Sequence, residues 1–463
     1  MEREPRLPPR TYPYGHKVRD DSALEAKRCL SRFALGNRID CLEGILHCKR
    51  NEYDSIINPL TAWLEGKGVH SEGGCAVYDV ELDDGCNTAE AICMRRESKE
   101  ERIAVRPCDL VFVTNGSLMT NASFGDNEHV ARLDEDTDDL GLFTVWQNLA
   151  ARDAKFGHPE KFLGQIGKTK WMSCFITMKD YPEFFGRVER MMGSPAGTGG
   201  VVTLRDSGWE MSLMFYDRDC FPHQRENNED VLWGDGLFGE RLGTYIRKPM
   251  GECTGNEILL ELLCHLDMLD MKDEVLAHAH VSTCMIPCIM SQFMPRTAAD
   301  RPRVVPEGCT NVAFIGQHVE VPGDVVFTIE TSIRTPLEAA CQLCGIEKDP
   351  IEVYPSQYDM RYALERFKKF SAIEGPITEG DLPKMNPLKL KAAKQRLISH
   401  LNEIPPCYVM YPGRDQSVAT KASVSGPGYP KDGEQARRGL RGAPEPSWRP
   451  CARSRPASRQ GPE

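Results

Sequence analysis

An α/β fold is what this sequence predicts, on three observations. The stretch 311–328, NVAFIGQHVEVPGDVVFT, reads as an apolar strand, a glycine, a polar loop with an aspartate, and a second apolar run. Residues 109–116, DLVFVTNG, repeat that logic as a buried strand ending in a glycine. From 140 to about 300 the chain alternates helical and strand patterns without a repeat. A glycine at a strand end lets the backbone approach a ligand that a Cβ would hold off. The loop beyond a strand's carboxyl end is also where open α/β sheets bind nucleotides. Both strand ends are expected to meet at one cofactor, although an ordinary buried strand and turn would have the same spacing.

The remaining elements follow in chain order. Residues 1–16 are rich in proline and arginine and read as unstructured. From 22 to 47, Leu24, Cys29, Leu30, Phe33 and Ala34 recur at helical spacing. Residues 54–68 form a second amphipathic helix closed by Gly68. VHSEGGCAVYDVELDD and NTAEAICMRR then alternate like a hairpin or meander. The charge run DEDTDD at 134–139 lacks the glycine and distal glutamate of an EF-hand loop, so it reads as a solvated loop or helix start. Residues 355–372 and 384–403 carry apolar residues at three-to-four spacing and predict two helices. The tail 413–463 holds ten Lys/Arg against five Asp/Glu, a charge of +5 that leaves -16 on residues 1–412. With almost no large apolar residues it reads as a disordered extension, the alternative being a basic arm that touches an anionic membrane.

Composition bounds the function. At 463 residues the chain can form two or three domains. Its 40% hydrophobic and 27% charged content suits a soluble globular protein, and a net charge of -11 does not favour nucleic acid. No apolar run reaches the length of a bilayer span, and the N-terminus lacks the apolar core of a secretory signal. Eighteen cysteines are scattered singly, as at Cys174 and Cys264. Cys341-x-x-Cys344 has no second pair at zinc-finger spacing, so reduced, buried thiols in a cytoplasmic protein are the expectation and no metal is assigned. Gly234-Asp235-Gly236-Leu237-Phe238-Gly239 is literally G-x-G-x-x-G, but the preceding ENNEDVLW does not read as a β-strand and no βαβ unit surrounds it. GTGG at 197–200 fails the same test, so neither is taken as a phosphate loop.

Seven colinear blocks carry a family resemblance. They are NEYDSIINPLTAWLEGKGV at 51–69, VFVTNGSLMTNASFGDN at 111–127, WMSCFITMKDYPEFFGRVERMMG at 171–193, GGVVTLRDSGWEMSLMFYDRDCFPHQ at 199–224, PMGECTGNEILLELLCHL at 249–266, SQFMPR at 291–296 and FIGQHVEVPGDVVFTIETSIRT at 314–335. Together they resemble the oleate hydratases, the FAD-dependent fatty-acid hydratases once called myosin-cross-reactive antigens. The resemblance implies a partial FAD-binding Rossmann-like domain at 17–139, an inserted α+β substrate domain at 140–300 and a last FAD-contacting segment at 301–345. A C-terminal helical subdomain at 346–412 follows, with disordered ends at 1–16 and 413–463. It also implies homodimers, unsaturated fatty-acid substrates and a peripheral membrane contact.

Hydrating an isolated double bond needs a proton donor on one face and an activated water on the other, in a dry, apolar site. By resemblance Tyr53, in Asn51-Glu52-Tyr53-Asp54-Ser55, is the proton donor. Its reference pKa near ~10 makes it a weak acid in water, and a tyrosine packed at a helix start is the plainer reading of the residues alone. Thr254 and Asn256 resemble polar contacts in the substrate channel, while either could equally cap the helix that follows. For FAD the resemblance points to Gly116, Ser117, Gly316, Gln317, Asp324, Val325, Phe327 and Thr328 as a set. Gln292, Phe293, Pro295 and Arg296 match a further block without an assigned role.

The sequence departs from the family at its beginning. Family members open with a strand, a glycine-rich dinucleotide fingerprint and an Arg-Gly-Gly-Arg-Glu-Met block whose glutamate is credited with activating the water. Neither block is present in this chain. Weak flavin binding and little or no activity are therefore expected, since losing a positioned acid–base group costs ~10²–10⁴-fold in rate. A non-catalytic lipid-binding or dimer-partner protein is the alternative to hydration of cis-9 fatty acids. A redox flavoenzyme would need a nicotinamide fingerprint, which is not found.

Overall fold

The structure is a computed structural model. It describes residues 22–33, 48–135, 141–193, 195–197, 201–325 and 328–346, with scattered positions between 353 and 399. The expectations for 1–16, for Phe327, for the helical subdomain at 346–412 (Ile346 and those scattered positions apart) and for the tail at 413–463 lie outside the described residues. So does 34–47; the helix expected from 22 onward runs Ala23–Phe33.

In chain order the strands are β1 Cys75–Leu82, β2 Ala89–Arg96, β3 Lys99–Ala104, β4 Val111–Thr114, β5 Ser123–Gly125, β6 Trp171–Lys179, β7 Val202–Thr203, β8 Met211–Phe215, β9 Glu229–Gly236, β10 Ala279–Ile286 and β11 Val312–Ile315. They form an antiparallel meander β1-β2-β3, a parallel pair β11-β4, and a six-stranded antiparallel sheet ordered β5-β10-β6-β9-β8-β7. The architecture is mixed α/β.

The parallel pair sets up the first part of the site. β4 and β11 run in register from Val111↔Val312 to Thr114↔Ile315, so both chains leave the pair on the same side. Val111, Val113, Val312, Ala313 and Phe314 share one core with Val80 of the meander and Leu149 of the helix Thr144–Ala150. Asn311 clamps meander to pair, its Oδ1 accepting from Ala89 N at 2.7 Å and its Nδ2 donating to Ala89 O at 3.1 Å. The helix Ile329–Leu343 follows β11 and packs on it.

The six-stranded sheet buries one face beneath the helices Pro182–Met192, Gly255–His265 and Lys272–His278. Cys174, Ile176 and Met178 of β6, Leu213 of β8 and Leu232 of β9 point into that core with Phe184, Ile258 and Leu262. By strand alternation the other face carries Ser173, Phe175, Ser212 and Asp235. β5, drawn from 123–125, edges this sheet by pairing with β10.

β9 corrects one expectation. The residues ahead of Gly236 do form a strand, flanked on both sides by antiparallel neighbours. Local pattern hid it because a central strand buried on both faces shows no alternation, and its aspartates look like loop residues. Asp230 is in fact paired with Arg218. Turn residues and no helix follow Gly236, so no phosphate loop results.

Candidate functional site

Gly116 and Gly316 lie just past the ends of β4 and β11, with φ of 76° and 91°. Both therefore occupy the left-handed region that favours glycine. The requirement at Gly116 comes from inside the protein, since a Cβ there would lie 2.1 Å from Cδ1 of Phe143. At Gly316 a Cβ would meet Thr114 Cγ2 at 3.2 Å, and the backbone N–H donates to Thr335 Oγ1 at 3.1 Å. Asn115 Nδ2 reaches His318 O at 3.4 Å, tying the two strand ends together. Ser117 and Gln317 stand beside them, half-buried.

His318 is fully buried in an aromatic box, its ring centroid 5.1–5.7 Å from those of Phe143, Trp146 and Phe162. Burial first, and then the positive charge of Arg301, hold its pKa well below the ordinary value, so it is neutral. Among the described residues its Nδ1 and the buried Oδ1 of Asn115 have no hydrogen-bond partner. Neither residue was singled out from sequence; each sits within two positions of a strand-end glycine, and that adjacency was the available signal.

Asp324, Val325 and Thr328 spend their polar atoms within the protein. Asp324 Oδ2 pairs with Arg334 Nε at 3.1 Å, and Oδ1 accepts from Val325 N at 2.9 Å. Thr328 caps the helix Ile329–Leu343, its hydroxyl accepting from Thr331 N at 3.3 Å. The fit to a flavin dinucleotide is accordingly local. Two strand ends, an orphaned amide oxygen at Asn115 and the half-buried Ser117 and Gln317 could face such a group, while Asp324, Val325 and Thr328 shape the loop behind them.

Tyr53 opens a π-helical turn, Tyr53–Ile57, in which Asn58 N–H reaches Tyr53 O. The helix Asn58–Glu65 continues it, with Pro59 in its first turn. Asn51 anchors this segment to the loop after β8, its Nδ2 donating to Cys220 O at 2.9 Å. Tyr53 is 63% exposed, beside exposed Ile57, Leu60 and Trp63, and its hydroxyl makes no hydrogen bond among the described residues.

Thr254 and Asn256 begin the helix Gly255–His265, as the capping reading foresaw. Thr254 Oγ1 accepts from Glu257 N at 3.3 Å, and the Glu257 carboxylate accepts from Thr254 N at 3.0 Å. Asn256 Oδ1 accepts from Asn127 Nδ2 at 2.8 Å. Both residues are thus engaged as acceptors, while the Thr254 hydroxyl proton and the Asn256 amide protons make no hydrogen bond among the described residues. Tyr53, the Thr254–Asn256 pair and the strand-end glycines form three separate groups, and no hydrogen bond or ring contact among the described residues joins one to another.

The SQFMPR block belongs to a buried ion network. Arg296 binds Glu25, with Nε to Oε1 at 3.0 Å, and Glu320, with Nη1 to Oε2 at 2.9 Å. Arg28 completes the link to Glu320, and Arg301 Nη1 lies 3.2 Å from Glu25 Oε1. Burial lowers Arg301 to about 9 in spite of Glu25. The network fixes helix Ala23–Phe33 to segment 291–301.

A cleft of about 230 Å³ lies where β6 begins and β9 and β10 end, lined by Trp171, Met172, Leu237, Met285 and Met290 among others. Asp235, beside the lining residue Gly236, is buried against the Trp171 indole and the Ser212 backbone N–H, and burial pushes its carboxyl up to about 8. Asp235 escaped notice because it falls inside the discarded glycine motif.

Comparison with known proteins gives a family match, described as MCRA family, over residues 18–340. An oleate hydratase of Streptococcus pyogenes serotype M49 (strain NZ131) is 35% identical over 378 residues, 78% of this chain and 63% of that protein. A linoleate hydratase of Lactiplantibacillus plantarum is 28% identical over 363 residues, 73% of this chain and 63% of its own length. The chain thus spans about 63% of the length of both curated relatives.

Proposed function

The chain belongs to the MCRA family, and from that premise we propose that it binds unsaturated fatty acids and serves their FAD-dependent hydration, converting oleate to 10-hydroxystearate. The observation that carries the proposal is the 35% identity to an oleate hydratase across 78% of the chain. In this reading Tyr53 gives its phenolic proton to one alkene carbon, water adds to the other, and the proton released by that water passes to solvent, which returns a proton to the Tyr53 phenolate. The hydroxyl of Thr254 and the amide of Asn256 donate to a polar group of the substrate. FAD would rest beside Gly116, Ser117, Gly316 and Gln317 and organise the site without net redox turnover. Asp324, Val325, Phe327 and Thr328 complete the proposed cofactor set. Homodimerisation, a cytoplasmic location and contact with a membrane surface complete the proposal.

A second reading is a lipid-binding or dimer-partner role without turnover, and the exposure of Tyr53 favours it. A phenol surrounded by water has neither the dry setting nor the raised acidity that alkene protonation needs. One experiment separates the two. The purified chain is titrated with FAD and then incubated with oleate, with products followed by mass spectrometry. A product heavier by one water supports hydration; fatty-acid binding without product supports the second reading; neither binding nor product overturns both.

A further inference from the structure

Residues 239–249 form a loop that exposes two kinds of group. Leu242 and Tyr245 are 57% and 52% exposed. Arg241, Arg247 and Lys248, also exposed, stand around them. Three cations against Glu240 give the loop a charge of +2, on a chain whose net charge is -11. Lys248 is answered by Glu257 at 2.5 Å, and Glu240 lines the neighbouring cleft. Arg241 and Arg247 make no ion pair among the described residues. The Arg241 guanidinium lies over the Phe238 ring, its Cζ 3.7 Å from the centroid.

Buried contacts fix this loop from below. The fully buried Glu261 carboxylate accepts from the backbone N–H groups of Thr244, Tyr245 and Ile246 at 2.6, 2.9 and 2.8 Å. Thr244 Oγ1 accepts from Gly208 N and donates to Asp206 O, both at 2.9 Å. Gly243 N donates to Lys248 O at 2.9 Å, and Ile246 packs on the core of the six-stranded sheet. Leu242 and Tyr245 are thus presented on a backbone already ordered, so a partner surface does not have to order it. Apolar side chains beside unpaired guanidiniums match a surface with an apolar interior under an anionic layer. A second copy of the chain fits less well, because a two-fold contact across this loop would bring Arg241 and Arg247 against their own like charges. Gly239, Glu240 and Pro249 also line the cleft walled by Trp171, Met172, Met285 and Met290. A docked loop therefore sets that cleft beside the surface.

We propose that loop 239–249 docks the protein on an anionic lipid surface, with Leu242 and Tyr245 entering the headgroup layer and Arg241 and Arg247 meeting lipid phosphates. This assigns the membrane contact of the proposed function to a defined element, and to this loop instead of the basic tail at 413–463. It rests on that reading for its biological purpose alone.

The test is co-sedimentation of the full chain with vesicles of pure phosphatidylglycerol or pure phosphatidylcholine. The parent is expected to bind phosphatidylglycerol in preference to phosphatidylcholine, and added salt weakens that binding. Arg241→Gln and Arg247→Gln each weaken it about 5-fold, and the double variant about 25-fold. Leu242→Ser weakens it about 5-fold through lost apolar contact. Thermal melts show whether each variant folds; Arg247 has a φ of 61°, and if its variant does not fold, Arg241→Gln and Leu242→Ser decide the question. No binding by the parent, equal affinity in parent and folded variants, or no preference for the anionic lipid overturns the proposal. Equal affinity would assign the contact to the tail or another surface. Self-association in sedimentation velocity that Leu242→Ser abolishes, without vesicle binding, would assign the loop to a second copy and overturn it as well. The readout needs neither flavin nor turnover. Hydration of dispersed oleate by a chain that ignores vesicles would overturn this proposal alone, and vesicle binding without hydration would leave it standing.

Discussion

Gly116 and Gly316 look alike in sequence yet differ in what constrains them. A Cβ on Gly116 falls 2.1 Å from the Phe143 ring, whereas one on Gly316 meets a threonine methyl at 3.2 Å. Both residues have positive φ. Gly116→Ala is therefore expected to destabilise the fold by about 2 kcal/mol or more, and Gly316→Ala by roughly 1 kcal/mol. Urea unfolding would check the order, and an equal loss would contradict the role given to Phe143. Tyr53 makes the opposite case, exposed and without a partner for its hydroxyl among the described residues. Tyr53→Phe should leave stability within about 0.5 kcal/mol, while any oleate hydration falls ~10²–10⁴-fold. Unchanged turnover in a folded Tyr53→Phe protein would remove it from the chemistry.

Helices are fixed at their ends by polar groups. Thr254 and Glu257 form a reciprocal cap on Gly255–His265, and the TGNE wording alone made that legible. Thr254→Ala should cost about 1 kcal/mol through the lost cap. A loss of fatty-acid affinity larger than this stability loss explains would show that the hydroxyl also touches ligand. The ion network on Ala23–Phe33 was not legible, because Glu25 meets partners some 270 positions away. Glu25→Gln leaves Arg296 and Arg301 without their shared carboxylate, and about 3–5 kcal/mol of destabilisation is expected. An unchanged urea midpoint would mean that the arginines find another acceptor.

At the scale of the whole molecule, two buried groups shape stability against pH with opposite signs. Asp235 is raised from 3.8 to about 8 in the folded chain, so its contribution is complete below 3.8 and is lost as pH rises to about 8. His318 is lowered well below 6.5, so its contribution is complete above 6.5 and is lost as pH falls further. The two slopes oppose each other below 6.5, and from 6.5 to about 8 only Asp235 of the two acts. Stability is expected to fall across that upper window, and Asp235→Asn should abolish the fall. Urea midpoints at both ends of the window, in parent and variant, would settle it; an identical fall in the variant would assign it to other groups.

By itself the sequence determined the glycine-ended strands at 109–116 and 311–316, the meander after residue 69, the cap at Thr254 and the seven blocks that resemble the hydratases. Each of these is written in contiguous residues, through periodicity, turn chemistry or wording. The tertiary structure decided that Glu229–Gly236 is an inner strand, that Phe143 fills the space above Gly116, and that Tyr53 stands in solvent. It alone joined Asp235 to Trp171, on neighbouring strands more than sixty residues apart in sequence. Strand pairing and burial depend on partners far along the chain, and no local pattern carries that information. An aspartate between two glycines reads as a turn until two flanking strands bury it and keep its proton in place.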